Sequence, residues 1–189
     1  RTYSQHLRAL QSIGDGLMVE VPALRNSTVA DVVVLLVNDG EACGQAAAIL
    51  ASRTNAYAAV HHSCIGTNTY TFQHEIGHLQ GARHDRYVDG SSTPYQYGHG
   101  FVAPTGTWRT IMAYGNACGN CAPVNYWSNP NITYPPTGQA MGTVTSEDNA
   151  RVLNNTARTI RDLATLPNPQ NVAHANPGVP NALPSLTWT

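Results

Sequence analysis

The sequence predicts an α/β (α+β) fold in which helices cover a small sheet and a long loop-rich stretch separates two helices. Ala30–Val37 holds a run of Val and Leu, which is typical of a strand buried on both faces. A helical segment ends near Gly81, and a second one follows Thr145. Residues 86–109 between them are rich in Gly, Pro, Tyr and Ser, a pattern that indicates a functional or a disordered segment.

The first elements along the chain are short. Patchy apolar spacing predicts helices at Gln5–Gln11 and Leu17–Arg25, and Pro22 interrupts the second. We expect the sheet to contain three strands, at Ala30–Val37, Cys43–Leu50 and Ala56–Ile65. Polar residues separate the second strand from the third.

Two longer helices carry recognisable end signals. Thr67 or Asn68 can cap a helix that stops at Gly81. Thr145 is expected to open the last helix, and Asp148 completes a T-x-x-D variant of the capping box. The last helix then shows one apolar stripe, formed by Ala150, Leu153, Ala157, Ile160 and Ala164.

Length and charge exclude several classes of protein. The 189 residues suit one domain over residues 1–166, because the Pro-punctuated residues 167–189 indicate an extended tail or linker. Ten basic residues, all Arg, against eleven acidic ones exclude a strongly basic nucleic-acid-binding protein. No apolar run approaches the ~18–20 residues that cross a bilayer, so we expect no membrane partner.

The four cysteines allow three disulfide pairings, of which we favour Cys43–Cys64 with Cys118–Cys121. The C-x-x-C pair has no second pair to complete a zinc knuckle, and its Gly/Asn/Pro surroundings disfavour a redox site. An even cysteine number suits an oxidising compartment, so we expect a secreted or extracellular protein, with the periplasm as the alternative. The N-terminus lacks signal-peptide features, and we expect any targeting segment to have been removed.

One segment carries most of the chemical information, because residues 74–85 read H-E-x-x-H-x-x-G-x-x-H-D. His74 and His78 lie four residues apart and therefore project from one face of a helix. Gly81 permits a positive φ at the helix end, so that His84 can turn back as a third ligand. Three imidazoles with an open fourth position predict one catalytic Zn²⁺. His61, His62 and His99 lack such spacing, and we interpret them as structural.

A second motif, Thr110–Gly115, contains Met112. With the histidine motif, it makes the sequence resemble the metzincin zinc metallopeptidases, and most of all the bacterial reprolysin-like enzymes, including peptidyl-Asp metalloendopeptidases. The resemblance covers roughly Ala30–Leu166. Further supporting segments are Tyr97–Gly100, Trp108–Tyr114 and Tyr126–Pro130.

The resemblance implies a role for each matching residue. Zinc would be bound by His74, His78 and His84. Glu75 would act as general base toward a water molecule activated by the metal, and Met112 would form an apolar floor beneath the histidines. Tyr114 either ligates zinc and stabilises the oxyanion or is a packed aromatic side chain. Asp85 either holds the turn by hydrogen bonds or is a surface acid.

The resemblance also implies a mostly parallel twisted sheet with an antiparallel edge strand within Cys43–Leu50, along which a peptide substrate would lie extended. Residues after the Met112 turn, through Asn129 and Pro130, would line the pocket that binds the residue following the cleaved bond. Metzincins place a strand, a helix and a strand before the segment at Ala30. We therefore expect this N-terminal strand-helix-strand to be missing or to belong to a separate chain. We also expect the protein to be a monomer.

These observations predict a secreted zinc-dependent endopeptidase. The alternative is a catalytically weak metzincin-fold binding module with structural zinc. Glu75 argues against that alternative, because a structural site has no use for a base that is not a ligand. The resemblance suggests cleavage before acidic residues, for which Arg109 or Arg151 could supply the positive charge.

Overall fold

The computed structural model describes residues 1–12, 16–38, 42–66 and 68–164. Within these ranges the chain forms four α-helices, namely α1 (Tyr3–Gln11), α2 (Val21–Ser27), α3 (Thr71–Leu79) and α4 (Asn149–Arg161). The strands are β1 (Val33–Val37), β2 (Gly44–Ala46), β3 (Tyr57–His61), β4 (Trp108–Arg109), β5 (Ala122–Pro123), β6 (Asn129–Tyr134) and β7 (Gln139–Met141). The predicted tail over residues 167–189 and the predicted domain end at residue 166 lie outside the described residues.

The largest sheet has three strands in the order β1-β3-β2. β1 pairs in parallel with β3, whereas β2 is antiparallel to β3 and lies at an edge. β3 is the central strand, and its alternation places Ala59 in the core with α1 and Ala58 in the core with Leu79 of α3. The small side chains of β3 thus let a helix approach each face of the sheet.

The prediction that the strand at Ala30–Val37 is buried on both faces was wrong. In the described part of the chain, β1 lies at the other edge of the sheet, and Leu36 is 54% exposed. β3 instead has four consecutive buried residues, Tyr57, Ala58, Ala59 and Val60. A run of Val and Leu indicates a strand but does not reveal its place in the strand order, because both edge and central strands accept β-branched residues.

The first two helices agree with their predicted type. Thr2 and Gln5 form a capping box at the start of α1. Helix α2 begins at Val21, four residues later than predicted, and Pro22 lies in its first turn. Proline is tolerated there because the first turn has no partner for its missing N–H.

The predicted start signals of the two later helices are wrong. Helix α3 begins after Tyr70, which has a left-handed backbone and makes no side-chain capping bond, rather than at Asn68. Thr67, the other predicted cap, lies outside the described residues. Helix α4 begins after Asp148, whose carboxylate accepts a hydrogen bond from the backbone N–H of Arg151, and Thr145 lies outside the helix. Four residues form the buried face of α4, namely Asn149, Val152, Thr156 and Ile160. Ala157 of the predicted stripe is exposed.

Residues 82–148 contain little regular structure besides the two-stranded sheets β4–β5 and β6–β7. A separate apolar cluster of Phe101, Ala103, Trp108 and Met141 fills this region. The cysteines pair as Cys43–Cys64 and Cys118–Cys121. None of the helices in the described ranges is long and apolar enough to cross a membrane.

Candidate active site

Helix α3 contributes three buried polar side chains to the site, His74, Glu75 and His78. The helix packs on β2 and β3, and backbone N–H groups just after β2 donate to its last carbonyls. These bonds join Leu50 to His78 at 2.9 Å and Ala51 to Leu79 at 2.8 Å. The orientation of α3, and of its histidines, is therefore set by the sheet.

The turn after α3 has the geometry that the motif predicts. Gly81 has a φ of +99°, and its N–H donates to the carbonyl of His78. The N–H of Ala82 donates to the carbonyl of Gly77, so the helix ends in a Schellman motif. Arg83 then exchanges backbone bonds with residues 98 and 100, and this pairing carries the next residue, His84, back toward the helix.

The three motif histidines converge on one point. The Nε2 atom of His84 lies 3.0 Å from Nε2 of His74 and 2.9 Å from Nε2 of His78. Two of the rings are oriented through Nδ1, which lies 2.9 Å from the carbonyl of Ile111 in His74 and 2.9 Å from that of Ala82 in His78. Since a carbonyl only accepts, each Nδ1 carries the proton and each Nε2 keeps its lone pair for a ligand.

Burial keeps these imidazoles neutral. It lowers the pKa of His74 well below its ordinary value, and the neighbouring histidines lower that pKa further. Burial, followed by the charge of His78, lowers the pKa of His84 to about 3. The pKa of His78 is also lowered by burial. Among the described residues, these histidines are the one group of His, Cys, Asp or Glu whose ligand atoms could hold a metal ion.

Glu75 is buried beside the cluster. Burial raises the pKa of its carboxyl from 4.5 to about 8, opposed by a hydrogen bond with the backbone of Ala46. The site is completed by Gly44 on β2, because a Cβ there would lie 2.8 Å from Oε1 of Glu75 and 2.7 Å from Thr71. Sequence reasoning missed Gly44, since a glycine within a predicted strand signals close approach but not what approaches.

Met112 is fully buried in a cluster with Ala82 and Ile111. It packs beneath α3 at Gly77, where an added Cβ would lie 2.9 Å from Sδ of Met112 and 2.8 Å from Trp127. Gly77 was also missed. Its signal was a glycine in the middle of a helix, where it is unfavourable by about 1 kcal/mol relative to alanine and therefore suggests a packing reason.

Tyr114 and Asp85 lie next to the histidines. The Tyr114 ring centroid is 4.2 Å from that of His84, and burial raises the pKa of the phenol. Asp85 is buried rather than on the surface, and its carboxylate accepts hydrogen bonds from the backbone N–H groups of Tyr114 at 2.7 Å and Tyr87 at 3.0 Å. One carboxylate thus joins the histidine turn to the segment after Met112.

His99 is fully buried behind the third histidine. Its Nδ1 lies 2.7 Å from the carbonyl of His84, and its Nε2 lies 2.8 Å from the carbonyl of Ser91. His61 and His62 stack on each other away from the cluster, with ring centroids 4.8 Å apart. His99 therefore supports the site through the backbone of a cluster residue.

Two cavities flank the histidine cluster, and Glu75 and Tyr114 line both. Cavity A, of about 260 Å³, is walled by Cys43 and Gly44 and by Arg109, Ile111 and Ala113. Cavity B, of about 370 Å³, follows β2 and the residues after it, from Gly44 to Ile49, and reaches His78 and His84. Asn129 and Pro130, which were expected to wall the pocket, belong to β6 and do not line cavity A.

The comparison with known protein families agrees with this geometry. The family model described as Metallo-peptidase family M12 (Reprolysin_5) matches residues 2–128, more than half of the chain. This chain belongs to metallopeptidase family M12. The match includes the three clustered histidines and Glu75, Met112 and Tyr114.

Two related bacterial proteins carry the same name. The chain is 48% identical over 161 residues to a peptidyl-Asp metalloendopeptidase of Stenotrophomonas maltophilia (strain K279a), covering 84% of this chain and 38% of that protein. It is 44% identical over 158 residues to the protein of the same name in Xanthomonas campestris pv. campestris, covering 84% and 37%. The chain thus spans less than two fifths of these relatives.

A solved structure shares the fold. The chain matches a structure titled "Structure of a chaperone-substrate complex" with a TM-score of 0.60 and 29% identity. The match covers 80% of this chain and 23% of the solved one.

Membership of a metallopeptidase family implies a metal ion, and the residues present fit one. Three neutral imidazoles place their Nε2 atoms around a common point, with both helix-borne rings oriented by backbone carbonyls. Neutral imidazole held in this way is a preferred ligand for first-row divalent metals.

Proposed function

We propose that this chain is the catalytic part of an exported zinc endopeptidase of the metzincin type. The observation that carries the proposal is the pairing of three convergent imidazoles with a buried carboxyl, Glu75, that is not one of them. Three protein ligands leave a position open for catalysis, whereas structural zinc sites have four. The two disulfides support export to an oxidising compartment.

The reaction follows from the residues that surround the cluster. A zinc ion held by His74, His78 and His84 would supply Lewis-acid activation of water and of the scissile carbonyl. Glu75 accepts the proton of the attacking water and delivers it to the leaving amine, since its buried carboxyl lies beside the histidine cluster without belonging to it. The Tyr114 phenol, whose pKa is raised and which is therefore protonated, donates a hydrogen bond to the developing oxyanion.

The substrate would lie extended along β2. In the described part of the chain, β2 pairs with β3 on one side, and cavity B follows it on the side of the histidines. An extended peptide added antiparallel to such an edge forms main-chain hydrogen bonds with it. The relatives' name, peptidyl-Asp metalloendopeptidase, supports cleavage beside aspartate as the specificity of this chain.

The proposal is tested by mapping cleavage sites with mass spectrometry on a denatured protein mixture. Wild-type protein is compared with Glu75→Gln, each with and without a metal chelator. We expect cuts by the zinc-loaded wild type, loss of these cuts with chelator, and a loss of at least about a hundredfold in Glu75→Gln, the lower range for a general base.

Metal analysis of the same samples separates the alternatives. Glu75→Gln should retain the metal, since Glu75 is not a member of the histidine cluster. A folded, zinc-loaded wild type that makes no cuts would favour the binding module with structural zinc. Equal cutting by both proteins would refute the role of Glu75.

A further inference from the structure

Cavity A contains one arginine, Arg109, at the end of β4. The cavity is otherwise lined by neutral or backbone groups, apart from His74 and the carboxyl of Glu75. Arg109 is half-buried, and this burial lowers the pKa of its guanidinium, opposed by the charge of Asp85. A cation that is partly removed from water in a cavity beside the reactive centre needs an anionic partner.

The guanidinium is held by hydrogen bonds to uncharged groups, and Asp85 acts on it only from a distance. Its Nε donates to the carbonyl of Cys121 at 3.0 Å, and its Nη1 donates to the carbonyl of Ala113. Both acceptors are uncharged, and within the described ranges no carboxylate forms an ion pair with Arg109 and Nη2 has no acceptor. Cys121 is joined by a disulfide to Cys118, so one of the two carbonyls that orient the head group lies in a cross-linked turn.

Arg151, the other arginine that could supply a positive charge, contacts a different part of the molecule. Arg151 lies on α4, where its guanidinium stacks over the ring of Tyr97 with 3.9 Å to the centroid. It lines neither cavity A nor cavity B. Arg151 therefore provides a matched control for the loss of one positive charge.

The direction of the substrate decides which residue enters cavity A. Cavity A adjoins the residues at the start of β2, and cavity B follows those at its end. A peptide antiparallel to β2 has its N-terminal part at the end of β2 and its C-terminal part at the start. The side chain that follows the cut would therefore lie in cavity A.

We propose that Arg109 determines specificity by binding an acidic side chain on the residue that follows the scissile bond. This inference rests on the proposed function, whose substrate class it explains. The free Nη2 group donates a charge-assisted hydrogen bond to the carboxylate, which a neutral amide of the same shape accepts more weakly. The two carbonyl contacts fix the guanidinium in advance, so that little side-chain entropy is lost on binding.

The test uses two peptides that differ only after the cleavage site, one with Asp and one with Asn. The ratio of their kcat/KM values is measured for wild type, Arg109→Gln and Arg151→Gln, all loaded with zinc. We expect wild type to favour Asp by about ten- to a hundredfold, the range for hydrogen bonds to charged groups. Arg109→Gln should bring the ratio close to one by slowing the Asp peptide, while Arg151→Gln keeps the wild-type ratio.

A ratio taken within one variant is independent of its folded fraction, so partial misfolding does not imitate the result. Arg109→Lys, which keeps the charge but loses the second carbonyl contact, should retain an intermediate preference. An unchanged ratio in Arg109→Gln, or a wild type without preference for Asp, would overturn the role of Arg109 while leaving the peptidase intact. A wild type that cleaves neither peptide would instead count against the proposed function.

Discussion

The two halves of the candidate active site are built in different ways. His74, Glu75 and His78 lie on one regular helix that is packed against the three-stranded sheet. His84, Arg109 and Tyr114 lie in the loop-rich residues 82–148, where single hydrogen bonds to backbone groups fix the chain. The helix supplies groups at a spacing dictated by 3.6 residues per turn, whereas the loops supply groups whose position depends on long-range contacts.

The two buried carboxyls show the same contrast. Glu75 on the helix is buried, with a hydrogen bond to one backbone group, and its pKa is raised to about 8. Asp85 in the loops accepts two backbone N–H bonds and connects two segments. One carboxyl is therefore available to move a proton, and the other holds the structure together.

The burial of Glu75 predicts that the unfolding free energy of the metal-free protein depends on pH. Its folded pKa of about 8 lies above its ordinary value of 4.5, so the folded state binds the proton more tightly than the unfolded state does. The stability that this provides is complete below pH 4.5 and is lost as the pH rises toward 8. The expected loss is at most about 1.4 kcal/mol per pH unit.

Glu75→Gln isolates this effect because glutamine does not titrate and the histidines are common to both proteins. Denaturant unfolding of both chelated proteins is measured from pH 5 to 8. The free energy of unfolding of wild type minus that of the variant should fall as the pH rises. A difference that stays flat would show that the carboxyl reaches water in the folded state.

Asp85→Asn should weaken the hydrogen bonds that join the turn after α3 to the segment after Met112. The two carboxylate oxygens accept bonds from two N–H groups, but asparagine offers one acceptor and places its NH₂ group against the other N–H. We expect a loss of about 1–3 kcal/mol in unfolding free energy, the cost of an unsatisfied buried polar group. Asp162→Asn is the control, because that carboxylate is exposed and pairs with Arg161 at the surface. Equal stability of the two variants in urea unfolding would contradict the connecting role.

The same contrast explains what the sequence could predict. The spacing from His74 to Gly81 predicted the face of α3 that carries His74 and His78 and the turn that ends the helix, because these follow from local helix geometry. The start of α4 was misplaced because Thr145 and Asp148 are both capping residue types, and distant groups hold the chain at the second. Asp148 donates its N–H to the carbonyl of Tyr97, and the N–H of Asn149 bonds to Ser128 Oγ. A capping pattern read along the chain contains neither partner.

The arginine that lines cavity A could not be predicted from the sequence either. Arg109 and Arg151 are equivalent in the sequence, each a lone arginine after the histidine motif. The carbonyls of Ala113 and Cys121 direct the first to the cavity, whereas the ring of Tyr97 holds the second on α4. Such choices depend on how the loop is folded, and no local pattern encodes them.

Gly77→Ala tests the packing of α3 on Met112 and Trp127. Because a steric cost and a gain in helix propensity oppose each other, we expect the smallest change in stability here. An alanine Cβ would lie 2.8 Å from Trp127 and 2.9 Å from Met112, so one of them must move, at about 1–3 kcal/mol. Alanine returns about 1 kcal/mol through its helix propensity. We expect a net loss of about 1 kcal/mol, seen as a melting temperature lower by about 2–4 °C. Gly66→Ala, whose Cβ meets nothing within 4 Å, should leave it unchanged. A higher melting temperature for Gly77→Ala would mean that Met112 and Trp127 adjust freely and that the helix is only loosely packed on the loops.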